Sequence, residues 1–126
     1  MSQGRSDEKA DQTARYADML AALGTEHRLR ILRLLLTAHP LGLVAGEIQE
    51  RLSIPASTLS HHLDRLRAEG LVTVKRESTF LRYDADTAAL EELLGFLFAE
   101  CCSRSGAVSA EAIVTLPDRN RKRRKP

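Results

Sequence analysis

Between Leu59 and Val74 the chain changes its periodicity across a single glycine. Leu59, Leu63 and Leu66 recur at the three- and four-residue spacing of one helix face, and Gly70 then interrupts them. Leu71-Val72-Thr73-Val74 follows at once as the β-branched run of a strand. A leucine-backed helix that runs straight into a strand must bury that back against what lies beside it in sequence. Upstream, Val44 to Leu52 reads as a short helix with Ile48 and Leu52 pointing inward, and Ser53-Ile54-Pro55 as a tight turn. Downstream, Lys75 to Thr79 is polar and charged, and Phe80-Leu81-Arg82-Tyr83 reads as a return strand. Short helix, turn, helix and charged hairpin make a helix-turn-helix with a wing.

The flanks complete the order. From about Ala14, Tyr16, Met19, Leu20 and Leu23 form one apolar face, and Gly24 ends that helix. Thr25 is placed to cap the next, with Glu26 in its first turn. Leu29, Leu32 and Leu36 mark its predicted buried face, Ile31 and Leu35 widen it, and Arg28, Arg30 and Arg33 cover the outside. His39-Pro40 stops it, and Leu41-Gly42-Leu43 reads as a connector. Thr87 to about Ser103 is a last helix with the broad stripe Leu90, Leu93, Leu94, Leu97 and Phe98. The expected fold is mainly α (α+β): a winged helix-turn-helix with four helices, a hairpin and a fifth helix.

A length of 126 residues suits one domain, and 43% hydrophobic with 29% charged residues is the balance of a folded one. Residues 1–13 show no apolar period and are expected to be flexible, with 14–104 as the folded domain. Residues 105–126 form a basic, disordered tail in this reading, and 119–126 carry six positive charges against none negative. Nothing in the sequence has the apolar length of a membrane span, and no signal peptide is visible. Two adjacent cysteines, Cys101 and Cys102, staple no loop. The expected setting is reducing and cytoplasmic.

The second helix of a helix-turn-helix presents its N-terminal residues to base edges in the major groove. Here these are Ser57, Thr58, Ser60, His61 and His62. Short hydroxyls and imidazoles donate and accept hydrogen bonds without holding the helix off the duplex. Arg65 follows one turn later, Lys75 and Arg76 sit at the start of the wing, and Arg82 lies on its return strand, suited to phosphate contact. Ser57 or Thr58 is also expected to cap the helix. His61 and His62 make a poor metal pair, because neighbours on a helix point about 100° apart. The net charge over 55–70 is zero, since Asp64 and Glu69 balance Arg65 and Arg67. Element order, not charge, marks this stretch.

The run from Leu23 to Leu32 (LGTEHRLRIL), and that from Ser57 to Val72 (STLSHHLDRLRAEGLV), resemble the ArsR/SmtB family of winged-helix repressors over about residues 14–103. The resemblance implies a homodimer that binds a double-stranded DNA operator, an inverted repeat, and leaves it when an inducer binds. It also places the dimer interface on the first and last helices, here Tyr16, Met19, Leu20, Leu23, Leu90, Leu93, Leu94, Leu97 and Phe98. In some members the metal ligands are cysteines on the short helix, and in others they are histidines and a carboxylate on the last helix. This chain has no cysteine between Gly46 and Leu52 and no histidine between Thr87 and Ser103. It has Cys101 and Cys102 at the end of the last helix.

Neighbouring thiolates can take two of the three bonds of trivalent arsenic. A monosubstituted organic arsenical, of the methylarsenite or phenylarsenite type, brings carbon for the third. Arsenite or antimonite needs another ligand, such as Ser103, Ser105 or a partner's thiol. The expected inducer is therefore a trivalent arsenical, with no cofactor required for DNA binding. Adjacent thiols are also open to a redox switch, or to simple packing as small hydrophobes.

Two rival classes are a protein-interaction winged helix that never meets DNA and an enzyme. Glu26, His27 and His39 are the enzyme's candidates, but they lie on or beside an arginine-rich helix with no nucleophile placed near them, and no glycine-rich phosphate loop is present.

Overall fold

The computed structural model describes residues 3–101 and 106–115, and side chains over 12–99 and 106–115. In chain order the elements are α1 (Gln3–Leu23), α2 (Glu26–Ala38), β1 (Leu43–Val44), α3 (Ala45–Leu52), α4 (Ala56–Ala68), β2 (Val72–Glu77), β3 (Phe80–Ala85), α5 (Thr87–Cys101) and α6 (Ala110–Val114). The three strands form one antiparallel sheet in the order β1-β3-β2. The chain divides into two compact units, Met1–Leu93 and Leu94–Pro126.

The core lies in the first unit. Ile48 of α3, Ile54 of the turn and Leu59, Leu63 and Leu66 of α4 are buried together with Met19, Ile31, Leu35, Leu71 and Leu93. Each large aliphatic side chain buried this way stabilises the fold by about 1.5–3 kcal/mol before chain entropy is set against it. The α3–α4 turn depends on Ser53, which is left-handed at φ 54° and ends α3 through its N–H to the Gln49 carbonyl. At the other end of α4, Gly70 adopts φ 75°. Its N–H bonds the Arg67 carbonyl, and the Leu71 N–H reaches back to the Leu66 carbonyl, each at 3.0 Å. This is a Schellman closure, with Leu66 and Leu71 buried across it. It turns the chain out of α4 directly into the wing, as the change of period predicts.

Several expectations are corrected. Helix α1 starts at Gln3 rather than near Ala14. Once the packed turns around Met19 and Ala22 exist, propagation costs little, and polar helix formers extend the helix without an apolar face. The Leu41–Leu43 connector hides β1, whose Leu43 and Val44 pair with Tyr83 and Arg82. The charged tip is shorter than expected, because β2 and β3 pair out to Glu77 and Phe80 and leave only Ser78 and Thr79 as the turn. Leu29 is 45% exposed. The buried face of α2 centres on Ile31, Leu32 and Leu35, and Leu29 lies beyond its edge. One turn of helix, α6, capped by Ser109 onto the Ala112 N–H, lies where the sequence shows too little pattern to assign.

The apolar stripes of α1 and α5 are narrower than the sequence suggests. Met19 is 0% and Leu93 2% exposed within this single chain, so both belong to its own core and are corrected as interface residues. Tyr16, Leu23 and Leu90 pack partly against that core. Leu20, Leu94, Leu97 and Phe98 stay exposed. A surface ion pair, Arg15 to Glu92 at 3.3 Å, joins α1 to α5.

Gly42 sits at φ 72°, and a Cβ there would lie 2.5 Å from the Tyr83 carbonyl oxygen. Gly42→Ala is expected to cost about 1–3 kcal/mol through the left-handed backbone alone, with the clash in addition. Urea unfolding of the variant beside wild type measures it.

Candidate nucleic-acid interface

The buried leucines fix which face of α4 is outward. Ser57, Ser60, His61 and Asp64 fall at i, i+3, i+4 and i+7, opposite the Leu59, Leu63 and Leu66 back, and all four are exposed. Arg65 is exposed beside them, while Thr58 and His62 are half-buried. Asp64 was not among the candidates read from the sequence, although the period that set the others apart includes it. A carboxylate at that place can accept from a cytosine amino group and repels phosphate.

The N-terminus of α4 differs from the expectation that Ser57 or Thr58 caps it. The cap is Pro55, whose carbonyl accepts from the Leu59 N–H at 2.9 Å, and no side chain caps the helix. Ser57 and Thr58 lie inside the first turn, one and two residues past the first residue of the helix. The first-turn amides, at the positive end of the helix dipole, are thus left to an external acceptor such as a phosphate oxygen.

His61 and His62 part company. His61 is exposed, whereas His62 turns toward α2. There its ring lies 5.4 Å from that of His27, and its Nδ1 is 3.3 Å from an Arg28 guanidinium nitrogen. Arg28 also donates through Nε to the Ala22 carbonyl. Sequence placed Arg28 with Arg30 and Arg33 on the outer face; the structure folds it back over the α1–α2 corner. Burial, then the charge of Arg28, then His27 and His61 hold His62 below the ordinary histidine pKa.

On the wing, Lys75 and Arg76 are exposed on β2. Arg82 is not equivalent to them. It is half-buried, donating to Glu77 at 2.9 and 3.2 Å and to the Gly42 carbonyl at 3.3 Å. Its charge is met by the exposed carboxylate of Glu77 and its guanidinium reaches the Gly42 carbonyl, so it braces the wing and is a weaker phosphate candidate than the sequence implies. Phe80, the first residue after the turn, is 62% exposed.

The enzyme candidates do not converge. Glu26 pairs with Arg30, His39 with Asp84 at 3.0 Å, and His27 with the His62 ring. Among the described residues no three His, Cys, Asp or Glu side chains are placed to hold a metal ion. The Cys101 side chain and Cys102 lie outside the described residues, and the Cys101 backbone closes α5.

A family model described as a helix-turn-helix domain matches residues 23–75. Transcriptional activator HlyU of Vibrio cholerae is 32% identical over 95 residues, covering 75% of this chain and 85% of HlyU. Its solved structure has a TM-score of 0.56 at 35% identity, covering 71% of this chain and 97% of that one. An ArsR-like transcriptional regulator from Rhodococcus sp. RHA1 has a TM-score of 0.65 at 25% identity, covering 86% and 99%. The homodimeric winged helix-turn-helix DNA-binding domain Mb0332 from Mycobacterium bovis, described as a possible ArsR-family regulator, has a TM-score of 0.60 at 27% identity, covering 79% and 93%.

This chain belongs to the ArsR/SmtB family. It is a winged helix-turn-helix, DNA-binding transcriptional regulator, and its relatives are regulators rather than enzymes. In ArsR/SmtB terms α3 and α4 are the helix-turn-helix, and β2 and β3 the wing. No helix among the described residues is long and apolar enough to cross a membrane.

The division of the wing's cations has a measurable consequence. Lys75→Ala and Arg76→Ala should each lower the slope of log affinity against log salt by about 1 if each neutralises one phosphate. Arg82→Ala should instead lower the melting temperature by loosening β1 and β2 from β3. Anisotropy titrations at several salt concentrations, with thermal melts of the same proteins, separate the two effects.

Proposed function

We propose that the chain is a dimeric repressor that holds an inverted-repeat operator through α4 and releases it when a trivalent arsenical reaches the Cys101–Cys102 pair. One observation carries the operator half: the uncapped N-terminus and the exposed Ser57, Ser60 and His61 share the outward side of a helix whose back is locked in the core. Lys75 and Arg76 on the wing extend the same interface toward the backbone. In a two-fold dimer the two copies of α4 would reach successive major grooves about 34 Å apart.

Support for the dimer is the exposed apolar side chains Leu94, Leu97 and Phe98 on α5 and, separately, Leu20 on α1, together with the homodimeric Mb0332. For the inducer, the support is chemical. Cys101 and Cys102 are the chain's only thiols, and in sequence they come four residues after Leu97 and Phe98. A monosubstituted arsenical is completed by two sulfurs, whereas arsenite or antimonite needs a third donor. Drawing two side chains about 100° apart onto one centre distorts the last turn of α5, next to the surface that joins the copies. HlyU bears the name of an activator. Repression is the sign proposed here because the sensing helix couples to release.

Cys101→Ser and Cys102→Ser should each leave operator affinity within about twofold and abolish a phenylarsenite-induced loss of about five- to 150-fold, the usual range of such coupling. Gel shifts and calorimetry of the reduced protein against phenylarsenite, arsenite, zinc and cadmium test this. Release of the double serine variant by phenylarsenite removes the thiols as the sensor, and release by peroxide alone makes the pair a redox switch. Leu94→Asp should shift sedimentation toward the monomer and weaken operator binding with it. An unchanged dimer means the α5 face is not the interface.

A further inference from the structure

His61 and His62 share one sequence position class, but the structure gives them different surroundings. His61 is exposed on the Ser57 and Asp64 stripe, while His62 faces the corner where α1 meets α2. A guanidinium has no lone pair to offer. At 3.3 Å from the Arg28 donor, His62 Nδ1 must therefore be the acceptor, which places its one proton on Nε2 and leaves the ring neutral. Arg28 is itself anchored by Nε to the Ala22 carbonyl at the end of α1. A chain of two hydrogen bonds thus runs from α1 through α2 to the middle of the recognition helix.

We propose that His62 is a positioning residue and not a base reader: as a neutral acceptor it latches α4 to the α1–α2 corner through Arg28, and protonation opens the latch. This rests on the operator-binding reading above. The titratable and charged groups that face His62 are Arg28 and His27 from α2 and His61 from its own helix. Among the described residues none of these groups is a carboxylate, so a proton on His62 meets only cations or groups able to become cations. In the folded chain the His62 pKa lies below its ordinary value of 6.5. The latch is therefore complete above that pH and is lost as pH falls through the lowered folded value.

The test compares wild type, His62→Asn and His62→Ala as full-length chains, on an operator duplex selected from a random library with wild type at pH 7.5. Asparagine puts a non-titrating oxygen near the place of Nδ1. At pH 8 His62→Asn should bind within about threefold of wild type, while His62→Ala, without an acceptor, binds about tenfold more weakly. Between pH 8 and pH 5, wild type should weaken relative to His62→Asn by about the tenfold that loss of one charge-assisted hydrogen bond costs. His27 and His61 are common to both proteins, so what they contribute is common to the ratio. Wild type that tightens relative to His62→Asn on acidification shows the charged ring on a phosphate and overturns the proposal, as does a ratio that does not move with pH.

A second measurement needs no variants and is read beside the duplex selection. Nitrogen-15 spectra of the histidine rings at pH 7.5 should show His62 as the Nε2–H tautomer with an unprotonated Nδ1. An Nδ1–H tautomer in a protein that binds operator overturns the latch alone. The expected tautomer in a protein that selects no duplex overturns the operator reading and leaves the latch.

Discussion

The burial of Leu59, Leu63 and Leu66 is the interaction on which the rest of the molecule turns. These three side chains fix the rotation of α4 about its own axis, and with it the identity of every residue that faces outward. A rotation of one residue, about 100°, would bring Leu59 and Leu63 to the surface in place of Ser60 and Asp64. The same packing sets the axis along which Gly70 hands the chain to the wing, since Leu66 and Leu71 close that junction from inside. Outward chemistry is therefore specified by inward packing, which is why a neutral stretch of sequence can still define an interface.

Where the chain keeps a strict period, its structure was legible. The helical spacing of 59, 63 and 66, the glycine after it and the β-branched run located α4 nearly to the residue and the wing by its place, though not by the length of its strands. Thr25 capped α2 as its position implied, with the Arg28 N–H on its hydroxyl at 3.2 Å. Legibility failed where position is set from a distance. Two residues of β1 carry no period of their own and become a strand only because β3 offers a free edge. The N-terminal half of α1 has no apolar face and owes its shape to propagation from a packed end.

The site divided along the same line. That α4 and the wing carry it was readable, and so was the list of residue types. The different duties of its members were not. Arg28 and His62 meet across 34 residues of sequence, and Arg82 is drawn to Glu77 and to the Gly42 carbonyl by the sheet register. In each case a cation that looked outward in one dimension finds an acceptor inside in three. Partners such as these change a residue's role without changing its type, so no composition or spacing announces them.

The pairing of β1 with β3 has a mechanical side. It stitches the short crossover between α2 and α3 to the outer rim of the wing, with Gly42 pressed against Tyr83 too closely for any side chain. The hairpin is consequently not a free flap hung from the end of α4 but one arm of a stiff bracket, whose other arm enters the helix-turn-helix from its opposite end. A bracket of this kind keeps the distance between groove-reading helix and wing constant while the whole head pivots. It also makes the crossover a poor place for evolution to insert or delete residues.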